Sequence, residues 1–80
     1  MSERLKYEGH MAVLEKSKKT LEIEIDGLVK AMRENLDVVV RPEKLNADLI
    51  ANQALILRNK QIDLKTIIAD IDKVKEILGR

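Results

Sequence analysis

Hydrophobic residues recur at alternating spacings of three and four along both halves of the chain. This 3.5-residue period is the heptad pattern of a coiled coil. In the first half the periodic positions are Tyr7, Met11, Leu14, Lys18, Leu21, Ile25, Leu28, Met32, Asn35 and Val39. In the second half they are Asn46, Ile50, Gln53, Leu57, Lys60, Leu64, Ile67, Ile71, Val74 and Leu78. The pattern predicts two long amphipathic helices.

The chain is expected to break at Pro42. A residue that precedes proline disfavours the helical conformation, whereas proline itself suits the first turn of a new helix. Continuing the first heptad frame through the proline would place Asp63 and Asp70 on the apolar face, so the frame restarts. The sequence therefore predicts helix 1 over about residues 3–40, a turn at about 40–42 and helix 2 over about 42–78, with Gly79 as a C-cap.

Folding the chain back at the proline pairs the two apolar stripes layer by layer. Leu28 then faces Leu57, Leu21 faces Leu64 and Leu14 faces Ile71, which is an antiparallel coiled-coil register. A competing interpretation is local β structure, because apolar and acidic residues alternate over 21–26 just before Gly27. The 3.5-residue period runs through that segment, and so the predicted fold class is all-α: a single-domain, two-helix antiparallel coiled-coil hairpin.

Five layers of this seam contain one polar residue opposite an apolar one. Lys18 and Lys60 are expected to lay their methylenes along the seam and keep their ammonium groups in water. A sharper interpretation concerns Asn35 and Gln53, which occupy neighbouring layers and could form a buried hydrogen-bonded pair that fixes the register.

The positions that flank the seam change character along the hairpin. Toward the chain ends they are charged, and Glu8 is expected near Lys75. Toward the turn they are apolar, with more apolar surface than two helices can cover for each other. We therefore expect self-association into a four-helix bundle, or docking on a partner helix, through a surface near the turn. Its predicted residues are Leu36, Val38, Val40, Leu45, Leu49 and Ile56.

Composition argues against catalysis. The chain has 80 residues, no cysteine and a single histidine, His10, without a companion at metal-ligand spacing. Ser2 and Ser17 lack an oriented base, and no glycine-rich loop is present to hold phosphate. We expect no enzyme activity, no cofactor, no metal and no small-molecule substrate. No apolar run is long enough to span a bilayer, so a cytoplasmic protein without membrane contact is expected.

The charge distribution leaves one alternative function open. The formal net charge is +1, and acidic and basic residues alternate in both halves, which is typical of solvated helix faces. The predicted function is a non-catalytic protein-protein interaction, scaffold or adaptor module that pairs with itself or with a partner helix. The alternative is a small nucleic-acid-binding or regulatory protein that uses a basic cluster of Lys16, Lys18, Lys19, Arg58 and Lys60.

Overall fold

The chain folds into an antiparallel pair of long helices. The computed structural model describes residues 3–37 and 41–80. Helix α1 spans Glu3–Asp37, a short 3-10 helix spans Pro42–Lys44, and helix α2 spans Ala47–Leu78. The hairpin measures 63 × 18 × 15 Å, and no strand occurs in the two described ranges. The predicted all-α hairpin is confirmed, and residues 21–26 are helical rather than β.

The burial pattern follows the predicted seam. Among the described residues, every seam position except Asn46 is buried or half-buried. Away from the seam, half-burial is reached at Glu8, Ser17, Val29, Ala31 and Asp70. The 3.5-residue period therefore identified the contact face of both helices, while Val39 lies outside the described residues.

Helix α2 begins at Ala47, five residues later than the sequence predicted. Pro42 opens the 3-10 helix instead, and Leu45 after it adopts an extended conformation with φ −65° and ψ 129°. Arg41 makes no side-chain cap for the 3-10 helix. Asn46 does cap α2, because its side-chain oxygen accepts a hydrogen bond from the Leu49 amide at 3.0 Å. Asn46 is thus an exposed N-cap and not a seam residue. The predicted end of helix 1 near residue 40 falls outside the described residues.

The cap at Asn46 gives a first testable prediction. Asn46→Ala should lower the free energy of unfolding by about 1 kcal/mol, because the Leu49 amide loses its acceptor. Chemical denaturation measures this change. Asn52→Ala is the matched control, since Asn52 is exposed inside α2 and makes no side-chain hydrogen bond within the described chain. Alanine has the higher helix propensity there, so the control should be neutral or slightly stabilising. Equal destabilisation by both variants would contradict the cap.

The C-terminal end of α2 is capped by Gly79, as predicted. Gly79 has a φ of 74°, the left-handed conformation that glycine adopts without steric cost. Its amide donates to the Glu76 carbonyl at 3.1 Å, and the Arg80 amide donates to the Lys75 carbonyl at 2.8 Å. This arrangement satisfies carbonyls that the helix end would leave unpaired, and it turns Arg80 back toward α1.

Candidate interaction surface

The side chains are most deeply buried at the open end of the hairpin, where the start of α1 lies beside the end of α2. The buried core there consists of Met11, Leu14, Ile71, Val74 and Leu78, with Tyr7 and Ile67 packed against it. From Leu21 toward the turn, the described seam side chains of α1 are only half-buried. The turn half of the hairpin therefore has no sealed core of its own within the described residues.

A hydrogen bond joins the two polar side chains that the heptad pattern placed in neighbouring layers. Asn35 Nδ2 donates to Gln53 Oε1 at 3.0 Å, in a half-buried position. A hydrogen bond of this kind favours one axial alignment of the helices, because a shift would leave both amides without their partner. The bond is observed, and its role in fixing the register stays a prediction.

The two seam lysines are half-buried, as expected from long side chains lying along an apolar contact. Lys60 Nζ is hydrogen-bonded to a carboxylate oxygen of Glu24. Glu24 flanks the α1 seam, so this contact ties the two helices together across one side of the hairpin. Both side chains remain partly exposed, and the pair contributes at most about 1 kcal/mol.

Charge divides the seam flanks into two halves. In heptad notation the seam consists of a and d positions, and the e and g positions flank it. In the turn half, which lies beyond Ile25 on α1 and before Lys60 on α2, the described flank residues are all uncharged: Val29, Ala31, Leu36, Ala47, Leu49, Ala54 and Ile56. In the open half, most flank residues are charged, namely Glu3, Glu8, Glu15, Glu22, Glu24, Asp63, Asp70 and Lys75. Burial of the turn-half flanks would therefore desolvate no charge at these positions.

The predicted association surface is exposed wherever the structure describes it. Leu36 is 58% exposed, Ile56 46%, and Leu45 and Leu49 40% each. Val38 and Val40 lie outside the described residues. The four described side chains surround the turn half, and α1 and α2 do not cover them for each other.

Exposed apolar residues are not confined to the turn, and this was missed from the sequence. Leu5, Val13, Ile23, Ile62, Ile68 and Ile77 are also exposed. The expectation that the flank positions toward the chain ends are charged holds for most of them but not for Ile68 and Ile77. A signal was present, because Leu55 and Ile62 are one heptad apart on the face of α2 opposite the seam.

Glu8, which the sequence predicts near Lys75, forms an ion pair with Arg80. Arg80 Nη2 donates to both carboxylate oxygens of Glu8 at 2.7 and 2.8 Å. The left-handed turn at Gly79 places Arg80 beside α1, and its guanidinium suits a carboxylate better than an ammonium does. This pair closes the open end of the hairpin next to the buried core.

The structure does not bring the five basic residues of the alternative function into one patch. The seam register puts Lys60 in the layer of Ile25, which is one heptad and about 10 Å along α1 from Lys18. The Lys60 ammonium is already paired with Glu24. Lys16, Lys19 and Arg58 are exposed. A phosphate backbone would therefore meet separated cations with carboxylates between them, unlike a continuous basic stripe.

Candidate chemistry elsewhere is sparse. His10 is exposed, and the described residues contain no group of three or more His, Cys, Asp or Glu arranged to hold a metal ion. In the same ranges, neither helix contains a segment apolar enough to cross a membrane.

The fold defines the chain as an antiparallel helical hairpin with an incompletely covered apolar surface. No protein-family model matches it, and no curated protein or solved structure shows significant similarity to it. The function is therefore argued from the hairpin itself.

Proposed function

We propose that this protein is a non-catalytic interaction module of the cytoplasm that acts by self-association of its hairpin. The proposed product is a four-helix bundle made of two copies. The proposed contact surface lies around the turn half and includes Leu36, Leu45, Leu49 and Ile56. The absence of cysteine agrees with the reducing conditions of the cytoplasm.

The surface area of the hairpin carries this proposal. The hairpin exposes 6391 Å² to solvent. A compact monomer of the same 9.1 kDa mass would expose about 4,900 Å², so the hairpin exposes about 1,500 Å² more. Its radius of gyration is 18.2 Å, compared with about 12 Å for a compact domain of this length. The excess exceeds the roughly 800 Å² per partner that a standard interface buries.

A second copy of the hairpin can bury this excess surface without any other protein. Both copies supply the same uncharged turn-half flanks, so each would cover the other's apolar residues in a symmetric contact. A single helix from another protein would also bury apolar surface here. We propose the self-associated form. A hairpin that stays monomeric until it binds a partner helix would contradict it.

Sedimentation equilibrium at micromolar concentration tests the proposal. We expect a mass of about 18 kDa, twice the 9.1 kDa of one chain, with dissociation on dilution. We also expect the thermal midpoint to rise with protein concentration, because association stabilises only the folded state. A 9.1 kDa species that unfolds cooperatively at a concentration-independent midpoint would show that the hairpin needs no second copy, and the proposal would fail.

A further inference from the structure

The two lateral sides of the hairpin differ in charge. In an antiparallel pair of helices the e positions of both helices lie on one side and the g positions on the other. We define the e side by the e positions and the outward b positions next to them, and the g side by the g and c positions. The Glu24–Lys60 contact agrees with this assignment, because Glu24 is a g residue and Lys60, a d residue, reaches it across the g side.

On the e side, opposite charges are separated between the two helices. The e side of α1 carries a net charge of −2, from Glu8, Glu15, Glu22, Asp26, Lys19 and Arg33. The e side of α2 carries a net charge of +2, from Arg58, Lys65, Lys75 and Asp72. The g side carries −2 on α1, from Glu3, Glu24, Glu34 and Lys6, and −1 on α2, from Asp63, Asp70 and Lys73. Two g sides would therefore repel each other.

Most of the e-side charges are not neutralised within the hairpin. Glu8 is paired with Arg80, and Asp26 with Lys30 at 3.1 Å. In the described part of the chain, the side chains of Glu15 and Glu22 on α1 have no ion-pair or hydrogen-bond partner. The same holds for the side chains of Arg58, Lys65 and Lys75 on α2. The unpaired acidic residues of α1 on this side are thus Glu15 and Glu22, at e positions next to the seam, while the unpaired Lys19 and Arg33 lie at the outer b positions.

The same side ends in an apolar zone near the turn. The heptad column that begins with Glu8, Glu15 and Glu22 continues with Val29 and Leu36. Across from them, α2 contributes alanines at its e and b positions, Ala47, Ala51 and Ala54. The e positions of α1 are therefore charged toward the chain ends and apolar toward the turn, where the charges of α1 on this side lie at the b positions Asp26 and Arg33.

We propose that two copies of the hairpin pack e side to e side, with their turns at the same end. This inference rests on the proposed self-association and names its face and direction. Of the proposed contact residues it places Leu36 in the contact and leaves Leu49 and Ile56, which are g residues, outside it. In this arrangement α1 of each copy lies against α2 of the other, so the unpaired Glu15 and Glu22 face an α2 side of net charge +2 in both contacts. Apolar turn halves also meet each other. With the turns at opposite ends, α1 would lie on α1 and α2 on α2, so the charged half of each copy would lie against the apolar half of the other and its charges would lose water without gaining partners.

The register identifies the pair of charges to test. The α2 residue level with Glu22 is position 63, so Lys65 of the second copy lies about 3 Å from it along the axis. Glu22→Lys and Lys65→Glu should each weaken dimerisation at least about threefold at low salt, and the double variant should recover most of the loss. Glu34→Lys is the matched control, since it makes the same charge change on the g side of α1. Sedimentation equilibrium gives the dissociation constants.

A distance measurement tests the direction. The chain has no cysteine, so Lys44→Cys introduces a single labelling site in the exposed 3-10 helix at the turn. Spin labels at this site should lie within about 35 Å of each other in the dimer, because helices in a bundle pack about 8–10 Å apart. Turns at opposite ends of a 63 Å hairpin would place the labels far beyond that.

The outcomes separate this inference from the proposed function. A short label distance together with charge recovery in the double variant supports it. A dimer with the long distance overturns it and leaves self-association standing. A dimer that Ile56→Glu dissociates, while Glu22→Lys and Lys65→Glu leave it intact, places the contact on the g side and also overturns it. A wild-type monomer overturns both proposals.

Discussion

Replacing Ile71 with alanine is expected to lower the free energy of unfolding by about 2–4 kcal/mol. Ile71 is only 6% exposed and belongs to the five-residue core at the open end. Removing its side chain forfeits the transfer free energy of the buried methyl and methylene groups and leaves a cavity that the neighbouring side chains fill only in part. A domain of this length has a total stability of about 4–12 kcal/mol, so this loss is a large fraction of it.

Ile77→Ala is the matched control for Ile71→Ala. Ile77 is the same residue type in the same helix, six positions later, but it is 57% exposed. We expect its truncation to change stability by less than about 1 kcal/mol, because most of the side chain is already in water. Urea denaturation at one fixed protein concentration compares the two, since association shifts the apparent stability. Similar losses for both variants would mean that the core at the open end is not where the hairpin gains its stability.

Heptad periodicity predicted the contact face of the hairpin because every seam residue lies on the side of its helix that faces the other helix, and that side recurs every 3.5 residues. The layer pairing placed Asn35 and Gln53 close enough for the hydrogen bond that the structure contains. The start of α2 was not predictable in the same way. Pro42 and Asn46 are both good initiators of a helix, and the choice depends on which one satisfies free amides. Asn46 does so through its side chain, whereas Arg41, the residue before Pro42, makes no side-chain cap.

The heptad pattern does not predict two features of the surface. The Glu8–Arg80 ion pair depends on the left-handed conformation of Gly79, which redirects the chain after the last helical residue. Residue spacing alone does not specify such a turn. The exposed Leu55 and Ile62 are spaced one heptad apart in the sequence. They lie opposite the seam, where polar residues are usually expected. Whether such residues are covered is decided by neighbouring copies or partners and not by the hairpin.

The sharpest distinction between folding and association comes from placing one glutamate at two positions of α1. Leu21→Glu puts a charge into the seam, opposite Leu64 and half-buried between the helices. We expect the hairpin to lose helix content at micromolar concentration, because the change removes about 1.5–3 kcal/mol of apolar burial and adds the cost of desolvating a carboxylate. Circular dichroism and thermal melts measure the loss.

Leu36→Glu makes the same chemical change fifteen residues later, where the side chain is 58% exposed in the hairpin. Helix content should stay near that of the wild type, because no seam contact is removed. Self-association should weaken at least about tenfold, since each copy would bring a charge into the apolar zone that the other copy covers. Sedimentation equilibrium of the two variants side by side separates the effects. If Leu36→Glu kept the wild-type mass, Leu36 would not lie in the association surface. If Leu21→Glu folded as well as the wild type, the seam would not be what holds the helices together.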